Sequence, residues 1–257
     1  MTLTVLDRRS LLNALALAPA AVALSPALRA EAQASGLITS DVCMVQKEVT
    51  EGPFYLDPRL IRSDITEGRP GLPPVLRLQV VTADCQPIVA ARVDVWHCDA
   101  GGLYSGVDNM GGGDTTGETF LRGTQMTGAD GVAEFRTIFP GWYRGRAVHI
   151  HYKVWFDEAN LLTGQVFFDD SLSDTIYAEH PAYEGRGVRD QLNGSDRIAQ
   201  QAGAAAVARL ELDAPDGEAV AALVVGVDEG ARSGSLLERL FGRHADPGAL
   251  PPDARTI

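Results

Sequence analysis

The chain has 257 residues, of which 45% are hydrophobic and 22% are charged. This is the composition of an ordinary soluble globular protein, with enough chain for one domain of strands and some additional segments. The formal net charge is −12, and lysine and arginine form no continuous stripe. Because nucleic-acid binding depends on clustered basic residues that contact phosphates, this charge argues against a nucleic-acid-binding protein.

Residues 1–32 have the pattern of an export signal. A pair of arginines, Arg8 and Arg9, precedes an alanine- and leucine-rich run that continues to Leu24, and small residues follow up to Ala32. The apolar run is too short to span a bilayer, and its order of charge, apolar run and small residues is typical of a cleavable signal. The arginine pair resembles the signal read by the bacterial Tat system. We therefore predict a periplasmic or extracellular protein with no stable membrane insertion after cleavage. An uncleaved N-terminal anchor is the alternative.

The rest of the chain is expected to form a mainly β protein, a β-sandwich with long connecting loops. Residues 33–50 form a short leading segment, and 51–230 are predicted to form the sandwich domain. Prolines make the start of this domain, Glu51–Pro58, extended, and Phe54 and Tyr55 are expected to cover one edge of the core. The alternating segments Leu76–Val81 and Arg92–His97 predict two strands.

Further strands are expected on both sides of turns. The Asp130-Gly131 turn separates Phe120–Met126 from Val132–Ile138, which predicts a β-hairpin. A second pair, Ala205–Leu212 and Ala219–Val227, is expected to close the domain. Residues 169–197 are polar and are predicted to be irregular, either as a pocket rim or as a solvated connection. Residues 231–257 contain three prolines and are predicted to form a flexible C-terminal tail.

The three cysteines match no zinc-binding spacing. In an oxidising compartment one pair could form a disulfide and leave one thiol over. The sequence does not decide which pair among Cys43, Cys85 and Cys98 that would be.

Two histidines at alternate positions of one predicted strand point to a metal site. His149 and His151 project from the same face, while Ile150, Tyr152 and Val154 fill the other face. Imidazole is the commonest side-chain metal ligand, and two imidazoles on one strand face can reach one ion. Zinc, copper, iron and nickel all accept imidazole, but a phenolate partner such as Tyr143 favours ferric iron. His97 lies apart from this pair and is expected to be structural.

Several motifs around these histidines resemble those of the intradiol ring-cleavage dioxygenase family. The chain contains a Val-x-Val-Trp strand followed by Gly-Gly-x-Tyr, then an Asp-Gly turn with Phe-Arg-Thr-Ile, then Pro-Gly-x-Tyr, an arginine and His-Ile-His. These motifs occupy Val93–Trp96, Gly101–Tyr104, Asp130-Gly131, Phe135–Ile138, Pro140–Tyr143, Arg146 and His149–His151. The likeness extends from about Glu51 to Phe168 and continues more weakly to about Asp228.

The resemblance implies an activity and a set of site residues. Family members use non-haem Fe(III) and dioxygen to open a catechol-type ring between its two hydroxyl-bearing carbons, which gives a cis,cis-muconate-type product. By resemblance, the iron ligands are Tyr104, Tyr143, His149 and His151. By resemblance, Tyr143 is also the ligand that the substrate displaces, and either this tyrosinate or a metal-bound hydroxide takes the substrate proton. Arg146 is a fixed cation near the activated ring, and Gln165 helps to orient it.

Two other readings remain open. The chain could be an exported β-sandwich binding module with a vestigial metal site. The intact set of four ligands argues against this, because a site that has lost its function should have lost at least one ligand. A zinc hydrolase is the other reading, but two tyrosinates are unusual zinc ligands. The segment before Glu51 is too short for the helical linker domain of the dimeric catechol enzymes. The sequence leaves the natural catechol and any homo-oligomeric state undecided.

Overall fold

The computed structural model describes residues 45–57, 59–108, 113–156, 159–212 and 218–228. The predicted export signal, Cys43 and the predicted C-terminal tail lie outside the described residues, so those predictions stay predictions.

Within the described residues, eight strands form two four-stranded sheets. The first sheet has the order β4-β1-β8-β7 and the second has the order β3-β2-β5-β6. The strands are β1 (Pro74–Thr82), β2 (Arg92–Trp96), β3 (Arg122–Met126), β4 (Val132–Arg136), β5 (His149–Phe156), β6 (Ala159–Phe167), β7 (Arg209–Glu211) and β8 (Ala219–Val227). The architecture confirms the predicted β-sandwich.

The core lies between the inward faces of the two sheets. It contains alternate residues of β1, β2, β4, β5 and β8, as expected for strands with one face on a shared core. Each fully buried aliphatic or aromatic side chain contributes about 1.5–3 kcal/mol relative to an exposed one. The predicted inward residues of β5 are all in this cluster: Ile150, Tyr152 and Val154. His149 and His151 therefore lie on the outward face of the second sheet.

The predicted hairpin around Asp130-Gly131 is wrong, because β3 and β4 belong to different sheets. β4 pairs antiparallel with β1, and Leu76 lies opposite Phe135. The turn itself docks on β1, where the Val80 amide donates to the Gly131 carbonyl at 2.8 Å. This contact is close enough that a Cβ on Gly131 would lie 2.6 Å from the Val80 carbonyl oxygen. The turn is therefore a corner that carries the chain from one sheet to the other.

The prediction that 169–197 is irregular throughout is also wrong. The segment contains a ten-residue helix, α1 (Asp170–Glu179), and a 3-10 turn at Pro181–Tyr183. Asp169 caps the helix by accepting a hydrogen bond from the Leu172 amide at 2.9 Å. A second helix, α2 (Arg197–Ala202), follows with Asp196 as its N-cap, and a second 3-10 turn covers Ala204–Ala206.

Cys85 is disulfide-bonded, whereas Cys98 is a free thiol buried beside Tyr104. Among the described residues, no helix is long and apolar enough to cross a membrane.

Candidate metal centre

The predicted site lies on the outward face of β5, at the middle of the second sheet. His151 lies opposite Trp96 of β2 and opposite Gln165 of β6. The indole of Trp96 stacks on the His151 imidazole, with ring centroids 4.8 Å apart and an angle of 7° between the planes. His149 and His151 are both buried, at 3% and 1% exposure. The pleat of β5 and the neighbouring strands thus fix both imidazoles.

Four side chains from three parts of the chain converge at one point. The Nε2 atom of His149 lies 3.1 Å from Nε2 of His151, 3.3 Å from the Tyr104 hydroxyl and 3.2 Å from the Tyr143 hydroxyl. The structure therefore brings together all four residues that the sequence singled out as ligands. Tyr104 is buried, whereas Tyr143 is partly exposed.

The tautomer of His149 follows from its neighbours. Its Nδ1 atom lies 2.7 Å from the Ala147 carbonyl, which can only accept a hydrogen bond. Nδ1 therefore carries the proton, and the lone pair of Nε2 points at the other three groups. A neutral imidazole oriented in this way is ready to bind a metal.

Glycines let the two tyrosine-bearing loops approach each other closely. A Cβ on Gly141 would lie 2.4 Å from the Ala100 carbonyl oxygen, and one on Gly102 would lie 2.6 Å from the Trp142 carbonyl oxygen. Gly102 also has φ +88°, which L side chains rarely adopt. Any larger residue would push the loops apart and separate the two phenols. The Gly-Gly and Pro-Gly motifs thus have a local structural role in bringing Tyr104 and Tyr143 together.

Burial shifts the pKa values of all four groups. It lowers the pKa of His149 to about 3, with a further contribution from the Arg146 cation, and it lowers the pKa of His151 well below its usual value. Burial raises the pKa of Tyr143 to about 12, and burial together with the neighbouring Tyr143 raises the pKa of Tyr104 well above 10. The imidazoles are therefore neutral at physiological pH, and the phenols need a nearby cation to ionise.

The donor set fits a metal cation. Three polar atoms surround the Nε2 lone pair of His149, which can accept only one well-directed hydrogen bond. The buried Nδ1 atom of His151 has no hydrogen-bond partner among the described residues, which therefore do not fix that ring's tautomer. Within the part of the chain that the structure describes, no group of three or more His, Cys, Asp and Glu residues is arranged to hold a metal. Tyrosine oxygen is therefore needed to complete a metal site here, which favours a hard cation over zinc.

Arg146 and Gln165 lie at the edge of this centre. The Nη1 atom of Arg146 is 3.4 Å from Nε2 of His149, and its Nη2 atom donates to Oε1 of Gln165 at 2.5 Å. Gln165 in turn donates from Nε2 to the Thr50 carbonyl at 2.9 Å. His97 lies outside the centre, where its ring bonds to the Cys98 carbonyl and the Thr137 hydroxyl.

The segment 50–55 forms a wall of the centre, whereas the sequence predicted only that Phe54 and Tyr55 cover one edge of the core. Phe54 stacks on Tyr104 with ring centroids 4.6 Å apart, and the Tyr55 hydroxyl donates to Asp94 at 3.1 Å. Glu51 pairs with Lys153, two residues beyond His151 on the same strand face. The signal for this contact was present in the sequence, because Phe54 and Tyr55 are two large aromatic residues in an extended segment next to the domain.

Two buried charged residues next to the centre were not found from the sequence. Arg122 donates to the carbonyls of Ser105 and Phe54, and Asp196 accepts from Arg146 and Ala147. Neither belongs to a motif with metal-ligand spacing. Only the three-dimensional arrangement brings them to the centre.

A family model described as "Dioxygenase" matches residues 51–213. Catechol 1,2-dioxygenase 1 from Acinetobacter lwoffii is 31% identical over an alignment of 138 residues, with a coverage of 45% of this chain and 43% of that protein. The chain spans about half the length of the curated relatives it matches.

Solved structures resemble the chain over most of its length. The intradiol ring-cleavage dioxygenase from Tetranychus urticae is 32% identical and superimposes with a TM-score of 0.68, covering 75% of this chain and 98% of that one. The dioxygenase domain of a carbohydrate-binding fusion protein from Streptomyces sp. SirexAA-E is 27% identical, with a TM-score of 0.53 over 72% of this chain and 99% of that one. The shared sandwich and the extent of both matches lead to one conclusion: the chain belongs to the intradiol ring-cleavage dioxygenase family.

Proposed function

We propose that the protein is a non-haem Fe(III) dioxygenase that opens a catechol-type ring between its two hydroxyl-bearing carbons. Both atoms of dioxygen enter the product, a cis,cis-muconate-type diacid, so no external reductant is needed. The observation that carries the proposal is the convergence of two phenol oxygens and two imidazole nitrogens. The hydroxyl oxygens of Tyr104 and Tyr143 and Nε2 of His151 all lie within 3.3 Å of Nε2 of His149. When bound by these four groups, ferric iron supplies the positive charge that ionises the phenols and the catechol and that activates the ring towards dioxygen.

The two phenols are suited to different tasks. Tyr104 is 1% exposed and packed under Phe54, so it remains in place. Tyr143 is partly exposed and follows the Pro-Gly turn, so it is the phenol that can move aside for a substrate. Once moved aside, its phenolate oxygen would accept a proton from a catechol hydroxyl. Arg146 holds a fixed positive charge at the edge of the centre, where negative charge develops on the activated ring.

A visible absorption spectrum of the purified protein tests this proposal. We expect a red-brown tyrosinate-to-iron band that shifts when catechol is added in air, with a muconate-type product and iron bound in a one-to-one ratio. Tyr143→Phe should change the band, and His149→Ala should abolish iron retention. His180→Gln is the matched control, because His180 contacts Tyr183 and Ala182 rather than the centre. Full activity in His149→Ala, or stoichiometric zinc without iron, would contradict the proposal.

We further propose that the protein is exported after folding, on the basis of the Arg8-Arg9 signal. In a bacterial host with a Tat system, replacing both arginines with lysine should retain the protein in the cytoplasm. Membrane-bound protein with an intact N-terminus would instead support an uncleaved anchor.

A further inference from the structure

Asp196 is a buried carboxylate next to the centre, in a segment that the metal ligands do not include. It is the N-cap of α2, and it is 2% exposed. Its two oxygens have separate partners. Oδ1 accepts from the amides of Ile198 at 2.7 Å and Ala199 at 3.3 Å, as an N-cap does. Oδ2 accepts from Arg146 Nε at 2.9 Å and from the Ala147 amide at 2.8 Å.

The Arg146 guanidinium is held on two of its three nitrogens. Asp196 binds Nε and Gln165 binds Nη2, while Nη1 lies 3.4 Å from Nε2 of His149. Among the described residues, Asp196 is the carboxylate that pairs with Arg146. Arginine has a long side chain that loses much rotamer freedom when it is fixed, so a free guanidinium would sample several positions. The contact with Asp196 restricts both the torsion at Nε and the direction of Nη1.

The same carboxylate also fixes the backbone leading to the first histidine. The Ala147 amide donates to Oδ2, and the Ala147 carbonyl accepts the Nδ1 proton of His149. One side chain therefore sets the position of the cation and of the peptide that orients the imidazole. Because Asp196 also begins α2, it connects that helix to the edge of the centre.

We propose that Asp196 is a positioning residue for the ring-opening reaction, in which it holds Arg146 with Nη1 directed at the centre. This inference rests on the proposed function, since Arg146 matters to the reaction only if the activated ring develops negative charge beside it. The hydrogen bonds of Asp196 go to Arg146 and to backbone amides rather than to the proposed metal ligands, so it acts through Arg146.

Asp196→Asn tests this role while it preserves the helix cap. Asparagine is as good an N-cap as aspartate, so its side-chain oxygen can still accept the hydrogen bonds from the Ile198 and Ala199 amides. Its amide nitrogen is then a donor that faces the Arg146 and Ala147 donors. We expect kcat for catechol to fall about 10- to 100-fold, as is typical when a residue that supports a catalytic group is removed. The change in KM should be smaller. Asp169→Asn makes the same substitution at the N-cap of α1 and should leave kcat unchanged.

A double-mutant cycle separates positioning from a general structural effect. If Asp196 acts through Arg146, Asp196→Asn should cause no further loss of kcat in the Arg146→Met background. Fully additive losses would overturn the proposal. Asp196→Ser is the second variant, because serine also caps helices but is too short to reach Arg146. It should show the same loss and the same lack of additivity.

A measurement without metal or substrate completes the test. In the NMR spectrum of the metal-free full chain, the Nε proton of Arg146 should be protected from solvent exchange, and its signal can be assigned by its loss in Arg146→Met. Protection should disappear in Asp196→Asn and remain in Asp169→Asn. Protection that persists in Asp196→Asn would overturn the proposal. Absence of ring opening in the wild-type protein would instead contradict the proposed function, so the two failures are distinguishable.

Discussion

At the scale of single residues, the centre depends on Arg122, a buried cation whose acceptors are uncharged. The guanidinium donates to the carbonyls of Ser105 and Phe54, at 2.6 Å and 2.7 Å. Ser105 follows Tyr104 in the chain, and Phe54 stacks on the Tyr104 ring. Burial lowers the pKa of Arg122 to about 10, so the side chain still carries its charge at neutral pH. Arg122 therefore holds together the two segments that enclose the buried phenol.

We expect Arg122→Met to lower the free energy of unfolding by about 3 kcal/mol, because it leaves buried carbonyls without donors. Urea denaturation followed by tryptophan fluorescence measures this change. Arg136→Gln is the control, since Arg136 is largely exposed and pairs with Glu218 at the surface, and it should change stability by less than about 0.5 kcal/mol. Equal losses of unfolding free energy in the two variants would contradict a stabilising role for the buried hydrogen bonds of Arg122.

His97, which is not among the proposed metal ligands, gives the protein a pH-dependent stability. Burial lowers its pKa to about 4 in the folded protein, from an ordinary value near 6.5. Between these values the unfolded chain binds a proton at this site and the folded protein does not. The contribution of neutral His97 to the free energy of unfolding is therefore fully present above pH 6.5 and is lost as the pH falls towards 4.

We predict that His97→Gln reduces this pH dependence. The slope of the unfolding free energy against pH, between pH 4.5 and 6, should decrease by about 1.4 kcal/mol per pH unit, the equivalent of one proton. Urea titrations of the metal-free protein at several pH values measure the slope. An unchanged slope would mean that His97 titrates alike in the folded and unfolded chains.

At the scale of elements, the extended segment 50–55 is part of the site as much as β5 is. Gly52 has φ +70°, and a Cβ there would lie 3.4 Å from Cε1 of His151. Gly52→Ala should destabilise the protein by about 1–2 kcal/mol through the left-handed backbone. We also expect weaker iron retention, because the added methyl group contacts the His151 ring. Thermal melting and metal analysis measure the two effects. Gly194→Ala, where a Cβ meets nothing within 4 Å, should change neither.

Local patterns in the sequence were sufficient to place the elements that carry the proposed metal-binding side chains. The alternation in β1, β2 and β5 predicted their positions, and in β5 it also predicted the inward face, because a strand with one buried face must alternate. The Gly-Gly and Pro-Gly motifs likewise marked the loops of Tyr104 and Tyr143. Helix α1 was missed although Asp169, Leu172 and Ile176 have the cap and spacing of a helix, because the many polar residues around them suggested a loop.

Pairing between elements could not be read from local patterns. The Asp130-Gly131 turn looks like a hairpin in the sequence, yet the docking of its backbone on β1 sends β4 to the other sheet. The contact between Asp196 and Arg146 was missed for a related reason. The two residues are far apart in the chain and share no motif, so only tertiary structure shows that they meet.

At the scale of the whole molecule, the core of the sandwich lies on the inner face of the second sheet, and the loops of Tyr104 and Tyr143 enclose the centre on its outer face. Both sheets pack on one core, and the donor atoms lie on the outer face of the second sheet. A cation bound only by the folded chain must stabilise that chain. If iron binds as proposed, removing it with a chelator should lower the melting temperature by about 10 °C, for an ion at about a thousand times its dissociation constant. Equal melting temperatures with and without the chelator would contradict iron binding at this site.

The parallel pairing of β1 with β8 has a consequence for how the protein is made. Pro74 pairs with Ala219 and Thr82 with Val227. The first strand, β1, can therefore form this pairing at the centre of its sheet only after the last strand, β8, has been synthesised. Every proposed metal ligand has left the ribosome long before that partner emerges. The nascent chain must therefore present its histidines and tyrosines while the first sheet is still incomplete, and such distant pairing makes folding slow. A cell that exports this protein folded would have to delay its translocation, and the capture of its metal, until synthesis has passed the final strand.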